Sequence, residues 1–463
     1  MKDKVLKSGI WFTVSNFLMK ATGFITTPIF TRLMTKTEYG DFSTFQTWMM
    51  IMLYITSLNL EGSLIRACHD FKDDIDRYLF SMISLSMVST VIWWCVVNIF
   101  CDQLGDVLGF DRLYLNCMFM YLFFCPAINL FQNAERFKYN YKWTVATSLS
   151  ISVGASLLSV FFVITMQNRF IGRVIGYIIP TVIIGLMIVL YYIKKGKKID
   201  FKYWKYALKI SIPYIPHLLS MYLLSNMDRI MIKDLCGSEY VALYSLAYTC
   251  GMLITIFVTS INNAYSPWLA DMLNASKYKS IKKVSVPYVT VFSFLAIGAV
   301  LVTPEILFVL GGESYMEAKY VMPPVAAGCL IQFVYCMYVN IEQYEKKTVG
   351  MAFASMMAAG LNFVLNYICI LKFGYVAAAY TTYASYLFLL FMHMYFVKKI
   401  GMTHVYDNKK ILTVSIGASI LIFSTNVLLK TTLIRYLIIV IYIGIAIALL
   451  LKHKNLILKF IRK

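Results

Sequence analysis

Fourteen apolar runs, each close to the length of a bilayer crossing, occupy residues 8–31, 41–63, 78–100, 113–133, 143–166, 171–193, 210–232, 241–262, 286–309, 321–342, 349–371, 375–397, 411–429 and 432–451. A helix needs about 20 mostly apolar residues to cross the hydrocarbon core. The links between the runs are short and hydrophilic, and none is long enough for a soluble domain. The pattern predicts an all-α polytopic membrane protein. Composition agrees: 60% of the 463 residues are hydrophobic and 14% charged, whereas soluble domains sit near about 45–50% apolar. The start, "MKDKVLKSGIWF", is basic and then apolar, and it runs on as a long span. It reads as a retained first helix.

A net charge of +20 would suit a nucleic-acid binder, but the basic residues fall between apolar runs. Placing the N-terminus in the cytoplasm puts 31 of the 43 Lys and Arg in inside segments and 10 in outside links or in the span turns next to them, with Lys20 and Arg229 left deeper within spans. That asymmetry is the positive-inside signal. It predicts cytoplasmic N- and C-termini and no nucleic-acid partner. The ten cysteines are scattered and form no C-x-x-C, so buried small hydrophobes are expected rather than a metal or disulfide framework. No cofactor is expected. The P-loop pattern, H-E-x-x-H and G-x-S-x-G are absent from the sequence, so transport is a better reading than catalysis.

Two links echo one another at an offset of about 200 residues. "RLMTKTEYGDFS" (32–43) resembles "IKDLCGSEYVALYS" (232–245), and "ERFKYNYKW" (135–143) resembles "EQYEKKTVG" (342–350). The expected organisation is an N-terminal six-helix bundle (1–193), a basic cytoplasmic linker (194–209), a second six-helix bundle (210–397), and two extra spans with a basic tail (398–463). Six is even, so the halves would be parallel repeats with a binding cavity between them.

Polar groups inside the spans mark the candidate site, because an uncompensated charge in the bilayer costs about 2.5–3.5 kcal/mol on insertion scales. In the first span Thr13, Asn16, Lys20, Gly23, Thr27 and Thr31 share one helix face. The competing role for such a stripe is helix packing. Glu61 and Arg66 close the second span; Glu61 could pair with Lys20, and Arg66 could snorkel. In "IPYIPHLLSMYLLSNMDRIMI", Pro213 and Pro216 predict a bend carrying His217. Asp228 and Arg229 point about 100° apart on a helix, so each must find a partner elsewhere. Gln332 and Asn340 complete the candidate set. Interhelical hydrogen bonding accounts for most other intramembrane amides, Asn362 and Asn366 among them.

Three segments resemble the polysaccharide or O-antigen flippases, which share a superfamily with the multidrug/toxin extrusion transporters and the lipid II flippase. They are "TRLMTKTEYGDF"; "IPYIPHLLSMYLLSNMDRIMI" with "YVALYSLAY"; and "YEKKTVGMAFASMMAAGLNFVLNYICILKFGYVAAAY". "GYVAAAY" departs from the family, which usually has a second glycine there. The resemblance implies a MATE-like fold in the bacterial inner membrane and a substrate of undecaprenyl-diphosphate-linked oligosaccharide. It also implies alternating access, membrane lipids and polysaccharide polymerase machinery as partners, and a coupling ion, H+ or Na+. A diphosphate would need cations such as Lys20 and Arg229. The competing readings are a drug/cation antiporter of the same fold, a surface-polysaccharide polymerase and a passive scaffold. Antiporters typically carry a first-helix carboxylate where this chain offers Lys20, and polymerases generally need a larger outer loop.

Overall fold

The computed structural model describes residues 2–138 and 140–452, and these are helical with no strand among them. They fall into two compact units, Met1–Ala242 and Leu243–Lys463.

The first unit contains α1 (Lys2–Leu33), α2 (Lys36–Thr56), α3 (Leu64–Asp70), α4 (Ile75–Ile99), α5 (Cys101–Leu108), α6 (Arg112–Phe137), α7 (Tyr141–Thr165), α8 (Arg169–Gly196), α9 (Phe201–Ser211) and α10 (Ile215–Cys236). The first unit thus includes α9 and α10 as well as the helices before the 194–209 link. The link itself is not simply loop. Its second half is α9, whose Tyr203 and Ala207 are buried in a core with Tyr78 and Tyr192.

The Glu-Tyr-Gly segment is a helix start. Thr35 and Glu38 form a reciprocal capping box: the Glu38 carboxylate accepts from the Thr35 amide at 2.8 Å, and the Thr35 hydroxyl accepts from the Glu38 amide at 3.2 Å. Two orphan amides of the first turn are thereby satisfied. Gly40 is dictated by a close approach, since a Cβ there would lie 1.8 Å from the Ser238 carbonyl oxygen. Beside it, Ser238 donates to Asp41 at 2.6 Å and Lys233 pairs with Asp41 at 3.1 Å. The two links that echo each other in sequence thus meet in space.

The second expected span is not one straight helix. α2 ends at Thr56, Leu58 and Asn59 adopt left-handed φ values of 53° and 48°, and α3 leaves at a 48° bend after a 3-10 turn. Hydropathy spans this joint because the residues on both sides of it remain apolar. Arg173 is buried on α8, with its guanidinium carbon 4.0 Å from the Phe42 ring centre, 4.2 Å from Phe30 and 4.7 Å from Tyr39. Stacking on aromatic faces compensates an arginine away from water.

α7 and α8 pack backbone to backbone through Gly172 and Gly176, a G-x-x-x-G face. A Cβ on Gly176 would sit 2.3 Å from Ser159 Cα, and one on Gly172 would sit 2.7 Å from the Phe162 carbonyl oxygen. Gly176→Val is expected to lower stability by about 1–3 kcal/mol, the usual cost of overpacking. Thermal unfolding of the purified protein in detergent measures it; an unchanged midpoint would contradict the close approach.

The second unit continues with α11 (Ser238–Asn274, its first turn counted in the first unit), α12 (Tyr278–Leu301), α13 (Thr303–Gly311), α14 (Met322–Tyr344), α15 (Thr348–Phe373), α16 (Ala377–Lys399), α17 (Asn408–Leu428) and α18 (Thr432–Lys452). Buried Asn362 and Asn366 on α15 bond Thr382 and Thr381 on α16. These amides serve packing, as expected.

Among the described residues ten helices are long and apolar enough to cross a bilayer, or eleven with the bent α2–α3 pair counted as one. The other three expected spans fall on α1, α16 and α18, the last with an apolar stretch Thr432–Ile445.

Candidate functional site

Four helices of the first unit turn polar side chains toward one another. On α10, Asp228 is fully buried while Arg229, the next residue round the helix, is half-buried. Arg229 Nη1 donates to Asn226 Oδ1 at 2.8 Å. Two turns earlier Tyr222 lies against Tyr54 of α2, ring centres 5.7 Å apart. The Tyr222 hydroxyl bonds Thr47 and lies within the field of Arg229. Tyr54 in turn feels the Glu61 carboxylate. Glu61 accepts from Asn133 of α6 at 2.9 Å, with the Arg136 charge nearby. Tyr121 of α6 and Tyr177 of α8 stack at 5.8 Å, and Tyr177 bonds Gln46. These four tyrosines are half-buried as whole residues. Phenols and amides donate and accept hydrogen bonds, and a guanidinium binds phosphate oxygens in a fixed fork. The arrangement can hold a hydroxylated, anionic head group.

The expected residues divide into three groups. Arg229 and Glu61 belong to this polar band, and Asp228 is fully buried beside Arg229 on α10. Lys20 is half-buried on α1, and no ion pair or hydrogen bond reaches it among the described residues. Glu61 is therefore not its partner; Asn133 takes that place. The side chains of Thr13 and Asn16 lie outside the described residues. Thr27 is buried, with its hydroxyl on the Gly23 carbonyl at 2.9 Å. A threonine can satisfy its hydroxyl in this way one turn back along its own helix.

Arg66 and His217 stand apart from the band. The Arg66 side chain is 73% exposed and reaches Asp70 at 3.8 Å, so it is a surface residue. His217 follows the 3-10 turn at 212–214 and meets the Tyr214 ring edge-on at 5.5 Å. At the predicted bend, Pro213 lies in that 3-10 turn and Pro216 opens α10, while Phe201–Cys236 runs on as one helical stretch. Gln332 and Asn340 lie in the second unit, where Asn340 donates to Asn262 at 2.9 Å and Gln332 bonds Tyr335.

Sequence reasoning missed the tyrosines, because Tyr is common in this chain and looks like core or interface anchor. It also missed Glu342 and His393 of the second unit. Their side chains meet at 2.7 Å between α14 and α16, both buried, with the Tyr335 ring stacked on the imidazole at 5.8 Å. Glu342 Oε2 has no hydrogen-bond partner among the described residues. A lone histidine inside an apolar span was the available signal.

A separate pocket of 660 Å³ in the first unit is lined by Asp41, Asp102, Asp106, Asp111 and Arg112. Four carboxylates against one guanidinium make it a poor seat for a diphosphate.

The family model described as "Polysaccharide biosynthesis protein" matches residues 5–273, more than half of the chain. The chain belongs to that family. A second model, MatE, matches residues 213–368. Among curated relatives, the Lsg locus protein of Haemophilus influenzae is 21% identical over 74% of this chain and 86% of its own length. The "Probable low-salt glycan biosynthesis flippase Agl15" of Haloferax volcanii is 21% identical over 84% of this chain and 83% of its own. Among solved structures, the lipid II flippase MurJ in an inward closed conformation superposes with a TM-score of 0.73 at 14% identity, covering 97% of this chain and 100% of that one. An inward-facing multidrug resistance MATE transporter gives 0.63 at 12%, covering 85% and 95%. This member of the polysaccharide biosynthesis family is thus an all-α, multi-pass membrane protein with the MATE-like fold.

Proposed function

We propose that this protein moves an undecaprenyl-diphosphate-linked oligosaccharide, the repeat unit of an O-antigen, capsule or exopolysaccharide, from the cytoplasmic to the outer leaflet of the bacterial inner membrane. The observation that carries the reading is the pair of intramembrane cations, Lys20 and Arg229, in the unit that also holds the tyrosine and amide band. Cations on separate helices suit a diphosphate. The phenols and amides suit sugar hydroxyls. Family membership and the named glycan flippase relative support the same substrate class.

The lipid tail stays in the bilayer while the head group crosses by alternating access, with the two halves rocking about it as in other repeat-built transporters. A coupling ion, H+ or Na+, would drive the cycle, and a polymerase would take up the flipped unit. Drug antiporters of this fold typically use a first-helix carboxylate, whereas the first span here offers Lys20 and no acid, and this favours the anionic cargo over a cationic drug.

The test uses purified protein in vesicles loaded with a fluorescent lipid-linked oligosaccharide and a membrane-impermeant quencher. Protein-dependent movement of the glycolipid, with no acceleration of ethidium export, is the expected result. Ethidium export without glycolipid movement would replace this reading with drug antiport.

A further inference from the structure

The stretch Phe201–Cys236 passes as one candidate span of 36 residues, interrupted only by the 3-10 turn at 212–214. At 1.5 Å per residue such a helix is about 54 Å long. A bilayer is about 40–45 Å thick with its head groups and about 30 Å without them. Part of this stretch must therefore stand in or beyond a head-group layer, and its lysine-rich end is α9.

α9 is two-faced. Tyr203, Ala207 and Ser211 (i, i+4, i+8) are buried. Trp204 Nε1 donates to the Ser81 carbonyl at 2.8 Å, and the Tyr203 and Tyr206 hydroxyls donate to Asp74 at 3.2 Å and Asp70 at 2.6 Å. Lys202, Lys205 and Lys209 (i, i+3, i+7) line the opposite face and are exposed. Lys194, Lys197 and Lys198 are exposed just before them. None of these six has an ion pair among the described residues. The neighbouring acids are already engaged: Asp200 caps α9 and pairs with Arg77 at 3.1 Å, and Asp76 takes Lys138 and Lys195. Exposed apolar groups accompany the lysines: Ile199 and Phe201 between Lys198 and Lys202, 44% and 71% exposed, and Ile212 just after Lys209, 48% exposed.

We infer that this lysine face of α9 is a binding surface for anionic phospholipid head groups of the leaflet that the charge count makes cytoplasmic. Lysine stems and Phe201 lie along acyl chains while the ammonium groups reach phosphodiesters. Juxtamembrane polybasic segments are drawn to anionic leaflets in this way. The inference does not depend on what the protein transports.

The test uses the full chain reconstituted in phosphatidylcholine vesicles containing phosphatidylglycerol, then extracted in mild detergent for native mass spectrometry of retained lipid. The wild type should keep phosphatidylglycerol in preference to phosphatidylcholine, and the preference should fade as salt rises, since screening weakens exposed charge pairs. K202Q/K205Q/K209Q should retain at least about threefold less phosphatidylglycerol, whereas K202R/K205R/K209R should retain it, because a charge held at the surface is the operative term. Thermal unfolding of both triple variants separates lost binding from lost fold. Equal retention by the glutamine variant, or no preference between the two lipids, would overturn the inference. So would displacement of all phosphatidylglycerol by an equal amount of undecaprenyl diphosphate, which would assign the face to the cargo.

Discussion

Lys20→Glu is expected to cut surface polysaccharide at least about tenfold while the protein stays in the membrane at its normal level. A tenfold effect corresponds to about 1.4 kcal/mol of lost interaction, a modest demand on a charge reversal beside a diphosphate. The side chain has no internal counter-ion among the described residues, so its removal breaks no ion pair that holds the fold. Lys20→Arg should keep most of the export, because the positive charge survives even though the head-group geometry changes. Polysaccharide staining together with quantification of membrane-inserted protein checks both halves. Normal staining with Lys20→Glu would remove this lysine from the proposed path.

The second large effect is on stability. His393→Leu is expected to destabilise the protein by about 3–5 kcal/mol, because it strands the Glu342 carboxylate in a dry contact between α14 and α16. The pair is 2.7 Å apart and both side chains are at most 4% exposed. The double change Glu342→Leu with His393→Leu should recover most of the loss, since replacing a buried pair by apolar groups is often neutral or better. Unfolding midpoints of the two variants in detergent decide it. A single variant as stable as the wild type would mean that the carboxylate finds another partner.

Hydropathy made the helices legible in the sequence, because a lipid-facing and a protein-facing apolar residue look alike to it. The same blindness hid the joint at Leu58–Asn59, where apolar residues continue through a change of direction. It hid α9 too, whose lysines read as a linker although Tyr203 and Ala207 are core. Helical periodicity placed Lys20, Thr27 and Thr31 on one face, but could not say which of them a neighbouring turn would satisfy. Partners are set by tertiary contact. Glu61 meets Asn133, 72 residues away, and no local pattern announces such a pair. The tyrosine band was illegible for a related reason: 34 tyrosines give composition no means of marking the few whose hydroxyls meet inside one unit.

At the far end of the chain, Arg435 opens α18. It is buried, grips Glu305 of α13 through two bonds of 2.6 and 2.7 Å, and donates to the Leu301 carbonyl at 2.8 Å. Tyr436 adds a bond to the same carboxylate at 2.9 Å. A planar two-pronged contact of this kind resists sliding and twisting together. α18 is therefore riveted to α13 of its own unit rather than trailing from it. Shortening the protein before Thr432 would not trim an ornament; it would pull a fastener and leave Glu305 without its cation.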